Sequence, residues 1–298
     1  RLPRRRRDPP AVSADNDGDP GKERQGCSRR GGAMPGGALE SKVAIVTGAS
    51  RGIGRAIAER FGAEGATVVV AARTTDAADA RLPGTIHETA ESVRRQGGRA
   101  LAIPVDLSRE EDRERLVAQV EAELGPVDVL VNNAAVTYFA PVEQFSLRRY
   151  DLMFEVQVKA AFHLVRLVLP GMRTRGQGFI LNISSGAARH PKVPPEREAR
   201  GGSTVYGMCK AAIERLTSGL ATELYRDGIA VNALSPSRIV PTPGTIFHGL
   251  VRPDDPEQAS EAPEVMAEAA LALCSGDPGR LTGRIAYSQA LLDELHRS

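Results

Sequence analysis

The chain has 298 residues, 41% of them hydrophobic and 26% charged, with a formal net charge of +2. That length buries a full core and suits one α/β domain. The charge is uneven: residues 1–33 hold nine Arg/Lys and five Asp/Glu, leaving 30 basic and 32 acidic residues in a near-neutral body that carries no sign of a nucleic-acid surface. Cys27, Cys209 and Cys274 form no CxxC pair, and the five histidines are scattered, so no metal site is expected. Sparse, unpaired cysteines fit a reducing, cytoplasmic compartment. No apolar run approaches the ~20 residues of a membrane helix.

Residues 1–40 are rich in Arg, Pro, Gly and Asp and have no apolar periodicity. Such a segment buries too little to offset its ordering entropy, so a disordered basic tail is expected there, followed by a single domain over 41–298. Met34 is the expected natural start, with the upstream residues a translated leader.

From Lys42 onward, short β-branched runs alternate with helical stretches. The runs are VAIVTG (43–48), ATVVVAA (66–72), ALAIPVD (100–106), DVLVNNA (128–134), GFILNIS (178–184), IAVNALS (229–235) and, more weakly, RIAYS (284–288). Apolar residues at successive positions suit strands covered on both faces. Between the first two runs, Ile53, Ile57 and Phe61 share one helical face, with Gly65 as a stop. Before the fourth run, Ser108 and Glu111 have capping-box spacing, and Leu116, Val120 and Leu124 form the apolar stripe. The alternation predicts a doubly wound, Rossmann-type α/β fold, with a seven-stranded, mostly parallel sheet and helices on both faces.

The first strand ends in Thr47-Gly48-Ala49-Ser50-Arg51-Gly52-Ile53-Gly54 and runs into the first helix. Gly48 permits a tight turn, Gly52 a close backbone approach to a pyrophosphate, and Gly54 close helix packing. The helix N-terminus adds free N–H groups and partial positive charge. The spacing is GxxxGxG, so the turn is read either as a phosphate cradle or as a structural turn. The second strand ends Ala71-Ala72-Arg73 with no acid for an adenosine ribose. Arg73 and Arg51 therefore favour NADP(H) over NAD(H), which stays possible; the alternative is two solvated surface arginines. Asp106, followed by Leu107, stands where an adenine amino group would be met, or else caps the next loop.

Tyr206-Gly207-Met208-Cys209-Lys210 opens a further helix, and residues four apart share a face. An ammonium beside a phenol lowers the phenol pKa from its reference near ~10 toward the working range of a general acid/base. The other reading is a surface pair. Ser184 and Ser185 end the fifth strand, at the edge where parallel sheets bind ligands; a hydroxyl there orients a carbonyl or caps the loop.

Together, Thr47-Gly48-xxx-Gly52-x-Gly54, Asn132-Asn133-Ala134, Ser185, Tyr206-xxx-Lys210 and Asn232 resemble the short-chain dehydrogenase/reductase family in order and strand context, over about residues 42–288. RLPGTIHETAES (81–92) and SPSRIVPTPGT (235–245) look like citronellol-dehydrogenase-like and hydroxysteroid-dehydrogenase-like members. The resemblance implies Tyr206 as the proton donor and acceptor, Lys210 on the nicotinamide ribose, and Ser185 on the substrate oxygen. It also implies a cofactor lined by Asn132, Asn133 and Ala134, and a homotetramer or homodimer packed through the helix bearing Tyr206.

Four departures stand out. Gln157 occupies the place of a relay Asn, with its amide shifted by about a methylene. The interval from Ser185 to Tyr206 is longer, filled by the polar segment 188–202. Pro236-Ser237 replaces Pro-Gly, and TGRIAYSQALL replaces the C-terminal Asp-Gly-Gly. Val136, Tyr138, Phe139, Ile239, Val240, Ile246, Phe247 and Leu250 are candidates for an apolar substrate pocket, or else pack their loops on the body. Two alternatives keep the same fold: a cofactor-binding regulator, and a non-redox enzyme such as an epimerase or dehydratase.

Overall fold

Every residue of Val43–Thr47 (β1) is buried. Similar continuous burial marks Thr67–Ala72 (β2), Val129–Asn132 (β4), Gly178–Ile183 (β5) and Ile229–Ser235 (β6). Strands without a polar face need cover on both sides, and only a sheet flanked by helices provides it. Arg99–Pro104 (β3) and Ile285–Tyr287 (β7) form the edges of a seven-stranded sheet ordered β3-β2-β1-β4-β5-β6-β7. All six pairings are parallel, so the sheet is wholly rather than mostly parallel. The computed structural model describes residues 37–76, 82–191, 193–194, 201–252 and 258–297, and residues 36–298 form one compact unit. The expectations for Cys27, Met34 and a tail over residues 1–36 lie outside the described residues.

Successive strand residues face opposite sides, and the core divides accordingly. On one face, Val46, Val68 and Val70 pack with Ile57 and Phe61 of Gly52–Ala63 (α1), Val93 of Ile86–Arg95 (α2), and Met266 and Leu273 of Pro263–Ser275 (α8). On the other, Ile45, Val69 and Leu130 pack with Leu116 and Val120 of Glu110–Leu124 (α3), Leu164 and Val168 of Ala160–Arg175 (α5), and Leu224 of Thr204–Leu224 (α6). Leu147–Phe154 (α4) precedes α5, Pro243–Phe247 (α7) follows β6, and Ser288–Leu295 (α9) closes the chain. The chain runs outward from β1 to β3, then returns to β4 beside β1. That reversal opens a crevice at the carboxyl ends of β1 and β4.

Two local expectations are corrected. Residues 37–40 do not belong to a disordered tail: Leu39 is fully buried, its N–H donates to Glu64 O (3.0 Å), and Ala38 N–H donates to Glu64 Oε2 (2.7 Å). One buried leucine with two backbone anchors outweighs the polar composition around it. Ser108 does not form a capping box with Glu111. Its hydroxyl and its N–H both bond Asp106 Oδ1 (2.8 and 3.0 Å), because a carboxylate two residues away is the better acceptor, and α3 starts after Arg109 without a side-chain cap. The reciprocal box forms instead at Thr85 and Glu88, at the start of α2.

Candidate functional site

The glycine turn is built from its backbone outward. Gly48 (φ +65°) and Gly52 (φ +56°) lie in the left-handed region that other residues adopt only with strain. A Cβ on Gly48 would fall 2.7 Å from Ala134 Cα. Thr47 Oγ1 donates to Val131 O (3.1 Å) and accepts the N–H groups of Asn133 (3.0 Å) and Ala134 (3.2 Å). Asn133 Nδ2 donates to Thr47 O (2.8 Å) and Gly48 O (3.1 Å), which ties the end of β4 to the turn. The start of α1 has no side-chain cap, so its first N–H groups remain available to an anion. A Cβ on Gly54 would sit 2.6 Å from Gly48 O and collide with Asn133 Nδ2. Gly54→Ala is therefore expected to lower stability by roughly 1–3 kcal/mol; thermal unfolding measures this, and an unchanged Tm would contradict the tight-turn account.

The turn opens onto a cleft of about 570 Å³. Gly48, Ser50, Arg51, Gly52, Ile53, Gly54, Arg73, Asp106, Leu107, Asn133, Ala134, Ser185, Tyr206 and Lys210 all line it. Several of these residues are engaged with the protein itself: the Asn133 amide protons go to the turn, and Asp106 Oδ1 accepts from Ser108. Arg51 Nη2 donates to Thr74 Oγ1 (3.0 Å) and Gly84 O (2.9 Å), while its Nε is buried with no partner among the described residues. Burial holds the Arg51 pKa below its ordinary value, and the nearby Arg73 guanidinium adds to that effect. A second guanidinium close enough to lower the Arg51 pKa makes a local demand for an anion.

At the other end, the Ser185 hydroxyl bonds the Tyr206 phenol, and Lys210 Nζ donates to Ile183 O (2.9 Å). Lys210 Nζ is 5.5 Å from the Tyr206 ring centroid, so the two side chains share one helical face as expected. The electrostatics differ from expectation. Burial pushes the Tyr206 phenol above its ordinary value, against the lowering effect of the Ser185 bond. Burial also pulls Lys210 down to about 8. The sequence pattern shows the pair but not its desolvation, and here desolvation is the largest cause of both shifts.

Gln157 does not line the cleft. It lies in a π-helical turn, Glu155–Lys159, joining α4 to α5; its Nε2 donates to Val136 O (2.9 Å) and its Oε1 has no described partner. Asn132 is also set behind the cleft, with Nδ2 on Asn182 Oδ1 (2.9 Å) and an unpartnered Oδ1. Gln157, Asn132 and Lys210 border a separate void of about 10 Å³, room for roughly one water. Arg113, to which sequence reasoning gave no role, is fully buried and bonds Leu107 O (2.6 Å) and Glu155 Oε1 (2.8 Å). It thereby couples the third strand's exit to the π turn. Its only sequence signal is an arginine in an exposed-looking helix.

The apolar side of the cleft holds Val136, Tyr138, Phe139, Ile239, Val240, Phe247 and Leu250, whereas Ile246 does not line it. The Phe139 ring meets the Tyr206 ring edge-on at 5.7 Å and the His248 ring at 5.4 Å. A Cβ on Gly52 would touch Thr242 Cγ2 at 2.9 Å, so the segment carrying α7 rests on the glycine turn. Among the described residues, Glu110, Glu114 and His163 bring ligand-type atoms within 4.8 Å of one another, but none lines the cleft, and His163 Nδ1 already accepts from Arg113 Nε (3.2 Å). No described helix is long and apolar enough to cross a membrane.

A family profile described as short chain dehydrogenase matches residues 42–246. The chain belongs to the short-chain dehydrogenase/reductase family of oxidoreductases. A short chain dehydrogenase of Pseudocercospora fijiensis is 38% identical over 221 residues, which cover 74% of this chain and 64% of that protein. This chain thus spans under two thirds of that relative's length. The 7alpha-hydroxysteroid dehydrogenase of Escherichia coli is 31% identical over 255 residues, covering 83% of this chain and 92% of its own. A metagenomic short-chain oxidoreductase solved in complex with NADP superposes with a TM-score of 0.67 at 29% identity, covering 84% of this chain and 98% of that one. As a short-chain dehydrogenase/reductase, the chain departs from the usual Pro-Gly after β6 for a visible reason. Ser237 accepts the Gln289 N–H on its hydroxyl (3.0 Å), a bond glycine lacks, which ties the loop to α9. The long segment before Tyr206 is anchored at both ends. The Arg189 guanidinium lies 3.8 Å from the Tyr287 ring centroid, and Gly202 O accepts Ala140 N–H (3.1 Å).

Proposed function

We propose that this short-chain dehydrogenase/reductase interconverts a hydrophobic alcohol and its carbonyl compound with NADP(H), with Tyr206 moving the proton. One observation carries the reading: Ser185, Tyr206 and Lys210 meet in the same cleft as an uncapped glycine turn and a pair of like-charged arginines. The residues fit a dinucleotide. The turn and the start of α1 would hold the pyrophosphate, Arg51 and Arg73 the 2′-phosphate, Asp106 and Leu107 the adenine side, and Lys210 the nicotinamide ribose hydroxyls. When bound, the cofactor supplies or takes the hydride.

The protein's part is positioning and proton transfer. Ser185 holds the substrate oxygen beside the Tyr206 hydroxyl. In reduction Tyr206 gives its proton to the developing alkoxide; in oxidation it removes the alcohol proton. Gln157 Oε1 and Asn132 Oδ1, both lacking described partners, suit acceptors for a water donating from the void beside Lys210. The aromatic and aliphatic wall suits an apolar substrate body. A homo-oligomer packed through α6 belongs to the same reading; Met208 on that helix is exposed.

NADPH consumption, followed at its absorbance band against a panel of hydrophobic ketones and aldehydes, tests the proposal; a cofactor-binding protein that turns over none of them would refute it. The pH dependence follows from two groups. Reduction needs Tyr206 protonated and Lys210 charged. Burial raises the first pKa and lowers the second to about 8, so reductive kcat/KM is expected to hold below about pH 8 and fall above it. The limb belongs to Lys210, so Lys210→Arg shifts it upward while lowering the plateau. Initial rates across neutral and alkaline pH check this, and a limb that stays in place in the Arg variant contradicts it.

A further inference from the structure

We propose that Ser184 and Glu214 form a positioning pair that fixes α6 against the end of β5 and so sets the contact between the Tyr206 phenol and the Ser185 hydroxyl. The inference rests on the reading of Tyr206 as the proton-transfer group. Four consecutive residues, the last two of β5 and the two that follow it, meet four residues on one stripe of α6. Asn182 Nδ2 donates to Thr217 Oγ1 (2.9 Å), and Ile183 O accepts Lys210 Nζ (2.9 Å). Ser184 Oγ donates to Glu214 Oε1 (2.7 Å), and the Ser185 hydroxyl bonds Tyr206. Positions 206, 210, 214 and 217 share a helical face.

These ties are not equivalent. Asn182–Thr217 lies deep in the core, away from the cleft. The Lys210 tie is surrendered if the ammonium turns to a ribose, as the proposed function asks. Ser184 is buried at the cleft wall, and its bond to a carboxylate is charge-assisted, hence among the stronger hydroxyl bonds. It is therefore the tie near the cleft that persists during turnover. Glu214 is only half-buried, so its replacement leaves the core intact.

The test compares Ser184→Ala, Glu214→Ala, Glu214→Gln and the double Ala variant, in the full chain. Two readouts are taken: NADPH-dependent kcat and KM, and Tyr206 ionisation, obtained by ultraviolet titration of each protein against its Tyr206→Phe counterpart. Either Ala change is expected to lower kcat by about tenfold, with the NADPH KM within about twofold, and to shift the Tyr206 titration. The double variant should be no worse than a single one, and Glu214→Gln, which keeps an acceptor oxygen, should recover most of both. An Ala variant that loses only thermal stability, or a Gln variant as damaged as Ala, overturns the pair. If the wild type reduces no carbonyl compound, the proposed function fails. The titration still decides the pair: a shift with Ala that Gln reverses supports it, and no shift overturns it.

Discussion

Tyr206→Phe is expected to lower NADPH-dependent turnover by about a thousandfold, within the range assigned to a lost general acid, while NADPH affinity stays within about threefold. The substitution removes one oxygen and keeps the ring, so the edge-on contact with Phe139 survives. The phenol is half-buried and bonded to Ser185, a fixed position for the proton that a mobile water does not reproduce. Cofactor affinity is expected to persist because the turn, the arginines and Lys210 are untouched. Stopped-flow reduction and a fluorescence titration separate the two quantities. Near wild-type rates in the variant would move the proton transfer to another group.

The second large effect concerns cofactor choice. Burial, and then the nearby Arg73 guanidinium, hold the Arg51 pKa below its ordinary value, which a 2′-phosphate beside the two arginines would relieve. Hydrogen bonds to charged groups contribute roughly 1.5–3 kcal/mol, and each 1.4 kcal/mol is about tenfold in affinity. Arg73 is exposed and screened by salt, so Arg73→Ala should weaken NADPH by about tenfold; adding Arg51→Ala should reach about a hundredfold. NADH affinity should change far less. Because Arg51 also holds Gly84 O and Thr74 Oγ1, the loss of both nucleotides together in the double variant would mean a collapsed loop, and the single Arg73 variant then decides. Tighter NADH than NADPH binding by the wild type would refute the assignment.

Much of this was readable from residue types because the relevant signals are local. A strand apolar at every position, such as Val43–Thr47, has one structural solution, and the turn glycines and the Tyr206/Lys210 spacing name their backbone and face directly. What escaped was set by competition or by burial. Ser108 matched a capping pattern, yet Asp106 offered a better acceptor. Leu39 looked like part of a polar tail, yet a buried site beside Glu64 receives it. Gln157 aligned with a relay position, but only the folded chain shows that it borders a small void rather than the cleft. The direction of the Tyr206 shift is set by desolvation, which spacing does not encode. The Ser184–Glu214 bond joins residues 30 apart, across a loop that hides their proximity.

A crystal structure of the chain with NADPH bears most directly on whether one cleft holds both the cofactor and the proton-transfer group. The prediction is a pyrophosphate on the turn from Gly48 to Gly54, a 2′-phosphate between Arg51 and Arg73, and a nicotinamide ring beside the Tyr206 hydroxyl. A dinucleotide bound with its nicotinamide away from Tyr206, or outside this cleft altogether, would contradict the account.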